Sequence, residues 1–269
     1  MYPRLFQFGP FAVPTYGMFS ALAMVAMLLL VVHLARRLDL PQEKLWNLTI
    51  LALLTGLIAS KLLLIPTHFW IFRAHPFWVL GLSTRYDPWI PGVSAALGIA
   101  MAWLYVMAEG LPLRRTLDAL APAVTLALGL QAIGAFLAGA NFGTPTRAAW
   151  AVTYHSTQAS LWYGTPLDRP LQPTQLYHAG LCALLLVALL VWLPRRAQDG
   201  ELAGLWLFAY GIARFFLEFY RGAASPVGIF TATQWLALAM VLTSAVLLWK
   251  HTPATPQVSE TSPEIPAHL

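Results

Sequence analysis

Tyr210, Arg214, Glu218 and Arg221 follow one another at intervals of four, four and three residues in the segment ELAGLWLFAYGIARFFLEFYRG. At those intervals the four side chains share one face of a helix. Two guanidinium groups, a carboxylate and a phenol on one face are suited to an anion. An arginine offers phosphate oxygens a planar fork, and a neighbouring carboxylate fixes how that fork points. The plainer alternative is an Arg214–Glu218 pair that neutralises itself and helps helices pack. Two more ionisable groups stand in strongly apolar stretches, Lys61 in LIASKLLLIP and His178 just after QPTQLY. Lys61 can instead snorkel to an interface, and His178 can be an ordinary hydrogen-bonded histidine. Histidines 68 and 75 lie seven apart in a proline-bearing stretch, which is not a metal-ligand spacing, so neither a metal nor a cofactor is expected. No GxSxG, Walker or HExxH pattern occurs, which removes the commonest hydrolase and nucleotide-binding readings. The single cysteine, Cys182 in GLCALLLVALL, reads as a small buried apolar residue and allows no intrachain disulfide.

The elements that must carry these residues follow from composition. Of 269 residues, 58% are in the set AVILMFWYC and only 10% are charged, far more apolar than a soluble domain. The apolar runs are continuous over about 20 residues and do not alternate, which predicts spanning helices rather than a barrel. The fold class expected is therefore all-α, a polytopic helical membrane protein with about seven transmembrane helices. The runs lie at 15–35, 45–66, 92–110, 118–139, 175–194, 201–220 and 230–250. Each ionisable residue within them costs about 2.5–3.5 kcal/mol on insertion scales and so needs a reason. The short connections carry Arg36, Arg37, Lys44, Arg114, Arg115, Arg195 and Arg196, whereas Arg73, Arg85, Arg147 and Arg169 are spread thinly over the longer ones. The excess of positive charge predicts that the short connections are cytoplasmic, with the N-terminus outside and the C-terminus in the cytoplasm. A net charge of +5 thus belongs to membrane orientation rather than to nucleic acid, which is not expected as a partner. Arg214 is thirteen residues from Glu201, about 20 Å along a helix, which puts it in the outer half of the bilayer. The stretches 67–91 and 140–174, rich in Trp, Tyr, Pro and His, read as interfacial outer loops of a single membrane domain over 1–250. The proline-rich end, 251–269, reads as a disordered cytoplasmic tail.

Five short segments, in order from Phe6 to Arg221, together resemble the prolipoprotein diacylglyceryl transferases of bacterial inner membranes. FQFGPFAVPTYG is similar to that family's N-terminal segment, with Tyr16 and Gly17 at its Tyr–Gly pair. LIASKLL resembles its Gly–Ala–Arg–Leu motif, with Lys61 for the arginine. GAFLAGANFGTPTRAAWAVTY resembles its signature loop, with Gly134, Gly139, Gly143, Pro145 and Thr146 in place. QPTQLYH matches its His–Pro–Ser/Thr–Gln–Leu–Tyr–Glu motif at Pro173, Thr174, Gln175, Leu176 and Tyr177, with Gln172 and His178 replacing the outer two residues. YGIARFFLEFYR matches its sixth-span motif at Tyr210, Gly211, Arg214, Glu218, Phe219 and Arg221. The family's second essential arginine falls on Ala132, its Asn/Cys position on Ala135, and its third-span histidine on Ala96 or Val93.

The resemblance implies transfer of the diacylglyceryl group of phosphatidylglycerol to the lipobox cysteine thiol of a preprolipoprotein, at the cell inner membrane. The partners implied are phosphatidylglycerol, the preprolipoprotein signal peptide and membrane lipids. It implies Arg214 and Glu218 as catalytic residues. Tyr16, Lys61, Gly143, Arg147, Gln175, Tyr177, His178, Tyr210 and Arg221 are the expected lipid- or phosphate-binding residues. Arg214 would meet charge building on the phosphate leaving group, with Lys61, Arg147 or His178 compensating for what Ala132 and Ala96 lack. Two other readings stand beside it: a family member that binds lipid or lipoprotein without transfer, and a small membrane transporter.

Overall fold

Each of the seven apolar runs forms a helix in the computed structural model, which describes residues 2–8, 11–75, 89–222 and 226–249. The spanning helices are α1 (Thr15–Arg37), α2 (Gln42–Leu62), α5 (Ile90–Ala108), α6 (Leu113–Ala138), α8 (Thr174–Trp192), α9 (Glu201–Leu217) and α10 (Ala232–Trp249). Short helices α3 (Leu64–Thr67) and α4 (Phe69–Ala74) follow α2, and α7 (Thr157–Tyr163) lies between α6 and α8. Three two-stranded antiparallel ribbons accompany them: β1 (Arg4–Phe8) with β2 (Phe11–Pro14), β3 (Val152–Thr153) with β4 (Pro170–Leu171), and β5 (Pro226–Val227) with β6 (Phe230–Thr231). Most of the expected 67–91 loop, including Arg85, and the expected tail at 251–269 lie outside the described residues.

Seven spans therefore exist where the apolar runs predict them, with two corrections at their ends. Helix α6 begins at Leu113 rather than residue 118, because helical hydrogen bonding continues through Arg114 and Arg115, whose charged heads reach past the apolar zone. Helix α9 stops at Leu217 and tightens into a 3₁₀ turn over Glu218–Tyr220, after which Arg221 is extended. The four-residue face stated above therefore holds through Glu218 and breaks after it, and Arg221 reaches its place by a different route.

Helix α6 is the hub. In its spanning window 44% of residues are buried, against at most 33% in any other span, and the buried face is mainly alanine, glycine and threonine. Between membrane helices the drive is close van der Waals approach, which small residues permit. The closest approach is at Gly134, where a Cβ would overlap the Phe19 side chain of α1. The α1–α6 pair is the most extensive helix interface in the molecule, followed by α9–α10, α2–α5 and α6–α8.

At the basic end the helices are stitched by charge. Lys44 pairs with Glu109 at 3.0 Å and Arg115 with Asp199 at 3.0 Å. Asp118, fully buried on α6, accepts hydrogen bonds from the backbone N–H of Gly200 (2.8 Å) and Ala203 (2.9 Å) and from Arg196 Nη1 (3.1 Å). Helix α9 starts at a glycine with no capping side chain of its own, so a carboxylate from another helix satisfies its exposed N–H groups. Asp118→Ala is expected to lower stability by about 3 kcal/mol, since two N–H donors and a guanidinium lose their acceptor together. Thermal unfolding in detergent measures this, and an unchanged midpoint would exclude the capping role.

Candidate active site

Helix α6 ends at Gly139, whose left-handed φ of +85° turns the chain out of the helix at no Cβ cost. The carbonyls this exposes are taken one by one by side chains from later in the sequence. Thr165 Oγ1 donates to Gly139 O (2.7 Å), Gln175 Nε2 to Ala140 O (2.6 Å) and Thr174 Oγ1 to Asn141 O (3.0 Å). The end of α6 and the start of α8 are thereby fixed to one another. From there residues 142–146 run as an extended segment between two others. On one side Thr144 N donates to Tyr220 O (2.8 Å) and Gly222 N to Phe142 O (3.0 Å). On the other, Gln172 N donates to Thr144 O (2.9 Å) and Thr146 N to Pro170 O (3.0 Å). Gly143 pairs with Arg221 across this small ladder. A Cβ on Gly143 would strike the Gln172 carbonyl and lie 2.8 Å from Thr174 Cγ2, so glycine is needed to bring these segments together.

Beside this ladder, helices α6, α8 and α9 border a cavity of about 110 Å³. Helix α6 contributes Ala132 and Ala135, α8 contributes Thr174, Gln175 and His178, α9 contributes Arg214 and Leu217, and the connections add Asn141 and Arg221. Glu218 lies behind the arginines, its side chain only 2% exposed. Its Oε1 accepts from Arg221 Nη1 at 3.3 Å, and its Oε2 is ion-paired with Arg214 Nη2 at 3.2 Å without hydrogen-bond alignment. Arg221 also reaches Asn141 Oδ1 at 3.5 Å. The self-neutralising Arg214–Glu218 pair is thus replaced by one carboxylate between two cations, which leaves one positive charge uncompensated at the cavity wall among the described residues. His178 Nε2 is 3.0 Å from Tyr210 OH, and Tyr210 stacks on Trp206 with ring centroids 5.3 Å apart.

Of the residues expected to act, Arg214, Arg221, Gln175 and His178 line one cavity, and Glu218 and Tyr210 touch them directly. Gly143 and Tyr177 support the wall rather than face it. Tyr177 OH donates to Gln172 Oε1 (2.6 Å) and accepts from Trp150 Nε1 (2.7 Å), while Gln172 Nε2 donates to Thr146 Oγ1 (3.0 Å). Tyr16, Lys61 and Arg147 are not part of the lining. Tyr16 packs edge-on against Tyr163 (6.4 Å), Lys61 sits in the last turn of α2, and Arg147 is exposed. Sequence reasoning gives no weight to Asn141 or Leu217. Only the position of Asn141 two residues past a helix-ending glycine hints at it, since its φ of +54° is a conformation asparagine tolerates.

Behind Gln175 stands Tyr154, 2% exposed, whose hydroxyl accepts from Gln175 Nε2 at 3.2 Å. Burial pushes the Tyr154 phenol up to about 12, outweighing the opposite pull of the Gln175 bond. The neutral phenol is thus favoured by folding, and its contribution is complete below the ordinary value near 10 and lost as pH rises through about 12. Tyrosinate absorbance of the protein minus that of Tyr154→Phe is expected to titrate near pH 12. A midpoint near 10 would mean that this ring is solvated.

A family model for prolipoprotein diacylglyceryl transferases matches residues 3–250. The chain belongs to the prolipoprotein diacylglyceryl transferase family. It is 29% identical over 257 residues to the phosphatidylglycerol–prolipoprotein diacylglyceryl transferase of Legionella pneumophila, covering 91% of this chain and 93% of that one. It is 26% identical over 244 residues to the protein of the same name from Clostridium tetani, covering 90% and 94%. With that of Idiomarina loihiensis the identity is 33% over 155 residues, 56% of this chain and 55% of the relative. As a transferase-family member it is a multi-pass membrane protein with its candidate site between α6, α8 and α9. Two positions where the sequence resemblance places an arginine and an asparagine or cysteine, Ala132 and Ala135, are methyl groups on the wall facing this site.

Proposed function

We propose that this protein transfers the diacylglyceryl group of phosphatidylglycerol to the lipobox cysteine of preprolipoproteins at the bacterial inner membrane. The observation that carries this reading is the Arg214–Glu218–Arg221 triad, a buried carboxylate between two partly exposed arginines. It leaves one net positive charge beside a cavity, the complement of a phosphodiester monoanion. The substrate thiolate attacks the glyceryl carbon next to the phosphate, a C–S bond forms, the C–O bond breaks, and glycerol phosphate leaves with the electron pair. Arg214 and Arg221 take up the charge that grows on the leaving phosphate, where fixed cations act most strongly. His178 accepts the thiol proton: with Nε2–H donated to the Tyr210 oxygen, Nδ1 carries the free lone pair. No enzyme cysteine is needed, since the nucleophile belongs to the substrate. His178→Ala is expected to slow transfer about 10²-fold at neutral pH and less at alkaline pH, where the thiol ionises unaided. An equal fold-loss relative to wild type at both pH values would remove His178 from proton transfer.

The basic short connections support a cytoplasmic placement of that end, so the cavity, at the opposite ends of α6, α8 and α9, faces the outer leaflet. Because Cys182 is buried and Ala149 is exposed, Ala149→Cys would supply the exposed thiol for a membrane-impermeant maleimide. Labelling from outside intact spheroplasts is expected; protection would reverse the orientation. The function itself is tested with purified protein in phosphatidylglycerol vesicles and a lipobox peptide, alongside an active family member. Thioether product and released glycerol phosphate are expected. Lipid binding with no product would overturn transfer in favour of a binding role.

A further inference from the structure

Arg147 sits in a loop that is fixed on both of its flanks. Before it, Thr146 Oγ1 accepts from Gln172 Nε2 (3.0 Å) and Thr146 N donates to Pro170 O (3.0 Å). After it, Ala151 N donates to Ala148 O (3.0 Å). Trp150 Nε1 donates to Tyr177 OH (2.7 Å), which donates in turn to Gln172 Oε1 (2.6 Å). One pair of side chains, Gln172 and Tyr177, therefore grips the loop on either side of Arg147. Arg147 itself is exposed and has no partner among the described residues. Arg169, next to Pro170, is likewise exposed and without a partner among the described residues. Because Thr146 and Pro170 share a hydrogen bond, the two arginines spring from adjacent points of the backbone. Like charges placed side by side on paired segments are unfavourable by themselves. Asp168 is the only carboxylate between residues 139 and 175, and it is engaged by His155, with Oδ1 and Nδ1 2.6 Å apart. A rigid loop thus presents two unneutralised guanidinium groups.

We infer that Arg147 and Arg169 form a surface site for the phosphate of anionic phospholipid headgroups, separate from the cavity. The inference rests on the outer placement proposed above for this end of the bundle. Height in the bilayer selects the ligand. Tyr177 lies in the first turn of α8, so the loop it holds is level with the end of that span. Trp150 is exposed in the same loop, and tryptophan settles at the membrane–water interface. A cation at that level meets headgroups, and a guanidinium fork matches phosphate oxygens. Neither arginine lines the cavity. Gly143, which pairs with Arg221, is four residues from Arg147, about 13 Å of extended chain. The site therefore gathers anionic lipid beside the cavity without taking part in its chemistry.

The test uses the protein carrying Ala149→Cys, labelled with an environment-sensitive dye, in phosphatidylcholine vesicles of increasing phosphatidylglycerol content. Ala149 is exposed between Arg147 and Trp150, and Cys182 is buried. The dye signal is expected to saturate with the anionic lipid and to weaken in about 0.5 M salt. One basic residue near an anionic leaflet is worth roughly fivefold in binding. Arg147→Gln combined with Arg169→Gln is therefore expected to raise the half-saturating lipid fraction by about tenfold or more. Arg147→Lys combined with Arg169→Lys keeps both charges and is expected to retain most of the binding. Arg214→Ala, which alters the cavity, is expected to leave this titration as it is. An unchanged titration in the double glutamine variant overturns the inference, and so does its loss in Arg214→Ala. A signal that an acidic peptide saturates and anionic vesicles do not would overturn it in favour of a peptide-docking patch. Absence of thioether product with the titration intact overturns transfer alone. Protection of Ala149→Cys in intact spheroplasts, again with the titration intact, overturns the orientation alone; in both cases the phosphate site stands.

Discussion

Replacing Arg214 with alanine lowers the rate of thioether formation by about 10²–10³-fold while the protein remains folded, the range seen when one pre-placed donor to a developing negative charge is removed. Arg214 lines the cavity and its guanidinium is 3.2 Å from the buried Glu218 carboxylate, so its orientation is set before substrate arrives. The loss should appear in turnover more than in lipid affinity, because Arg221 still attracts the phosphodiester. Arg214→Lys restores part of the rate at most, since an ammonium supplies charge without the planar fork. Steady-state rates with a lipobox peptide in phosphatidylglycerol vesicles measure both. An Arg214→Ala rate within about threefold of wild type would remove Arg214 from the chemistry.

Glu218→Gln has the second large effect, and its main target is stability. The Glu218 side chain is 2% exposed and is paired with both Arg214 and Arg221. Neutralising it leaves two partly exposed guanidinium groups beside one another without their shared acceptor, and losing hydrogen bonds to a charged group costs about 1.5–3 kcal/mol. The melting midpoint is expected to fall sharply, with transfer falling alongside it. Adding Arg221→Ala to Glu218→Gln should recover part of the stability, because the repulsion is relieved, so the two changes are strongly non-additive. Additive destabilisation, or none from Glu218→Gln alone, would show that the carboxylate does not hold the two cations.

Several features of the site are legible in the residues. The 4-4-3 spacing picks out Tyr210, Arg214, Glu218 and Arg221, and the QPTQLYH segment picks out Gln175 and His178; four of these line one cavity, and Tyr210 and Glu218 contact them from behind. Spacing misleads about how they meet, since α9 ends at Leu217 and Arg221 arrives on an extended segment bridged to Gly143. Lys61 stands out by the cost of a cation in an apolar stretch and Arg147 through the family resemblance, and neither lines this cavity. Asn141 shows the opposite, a polar residue whose use depends on where Arg221 is brought.

The seven spans could be read from the sequence alone because a bilayer obliges every long apolar segment to satisfy its own backbone, so each forms a helix whatever its neighbours do. Family membership was legible for a related reason, since short motifs keep their order along the chain. Only the tertiary structure decided what the charged residues do. One carboxylate lies between two arginines, and one glutamine oxygen has no donor among the described residues. Both depend on the carbonyls after Gly139 finding donors in Thr165, Thr174 and Gln175, residues 26 to 35 positions away. Charge and hydrogen-bond pairing act over a few ångströms of space, and the chain order does not record which distant residues will share that space.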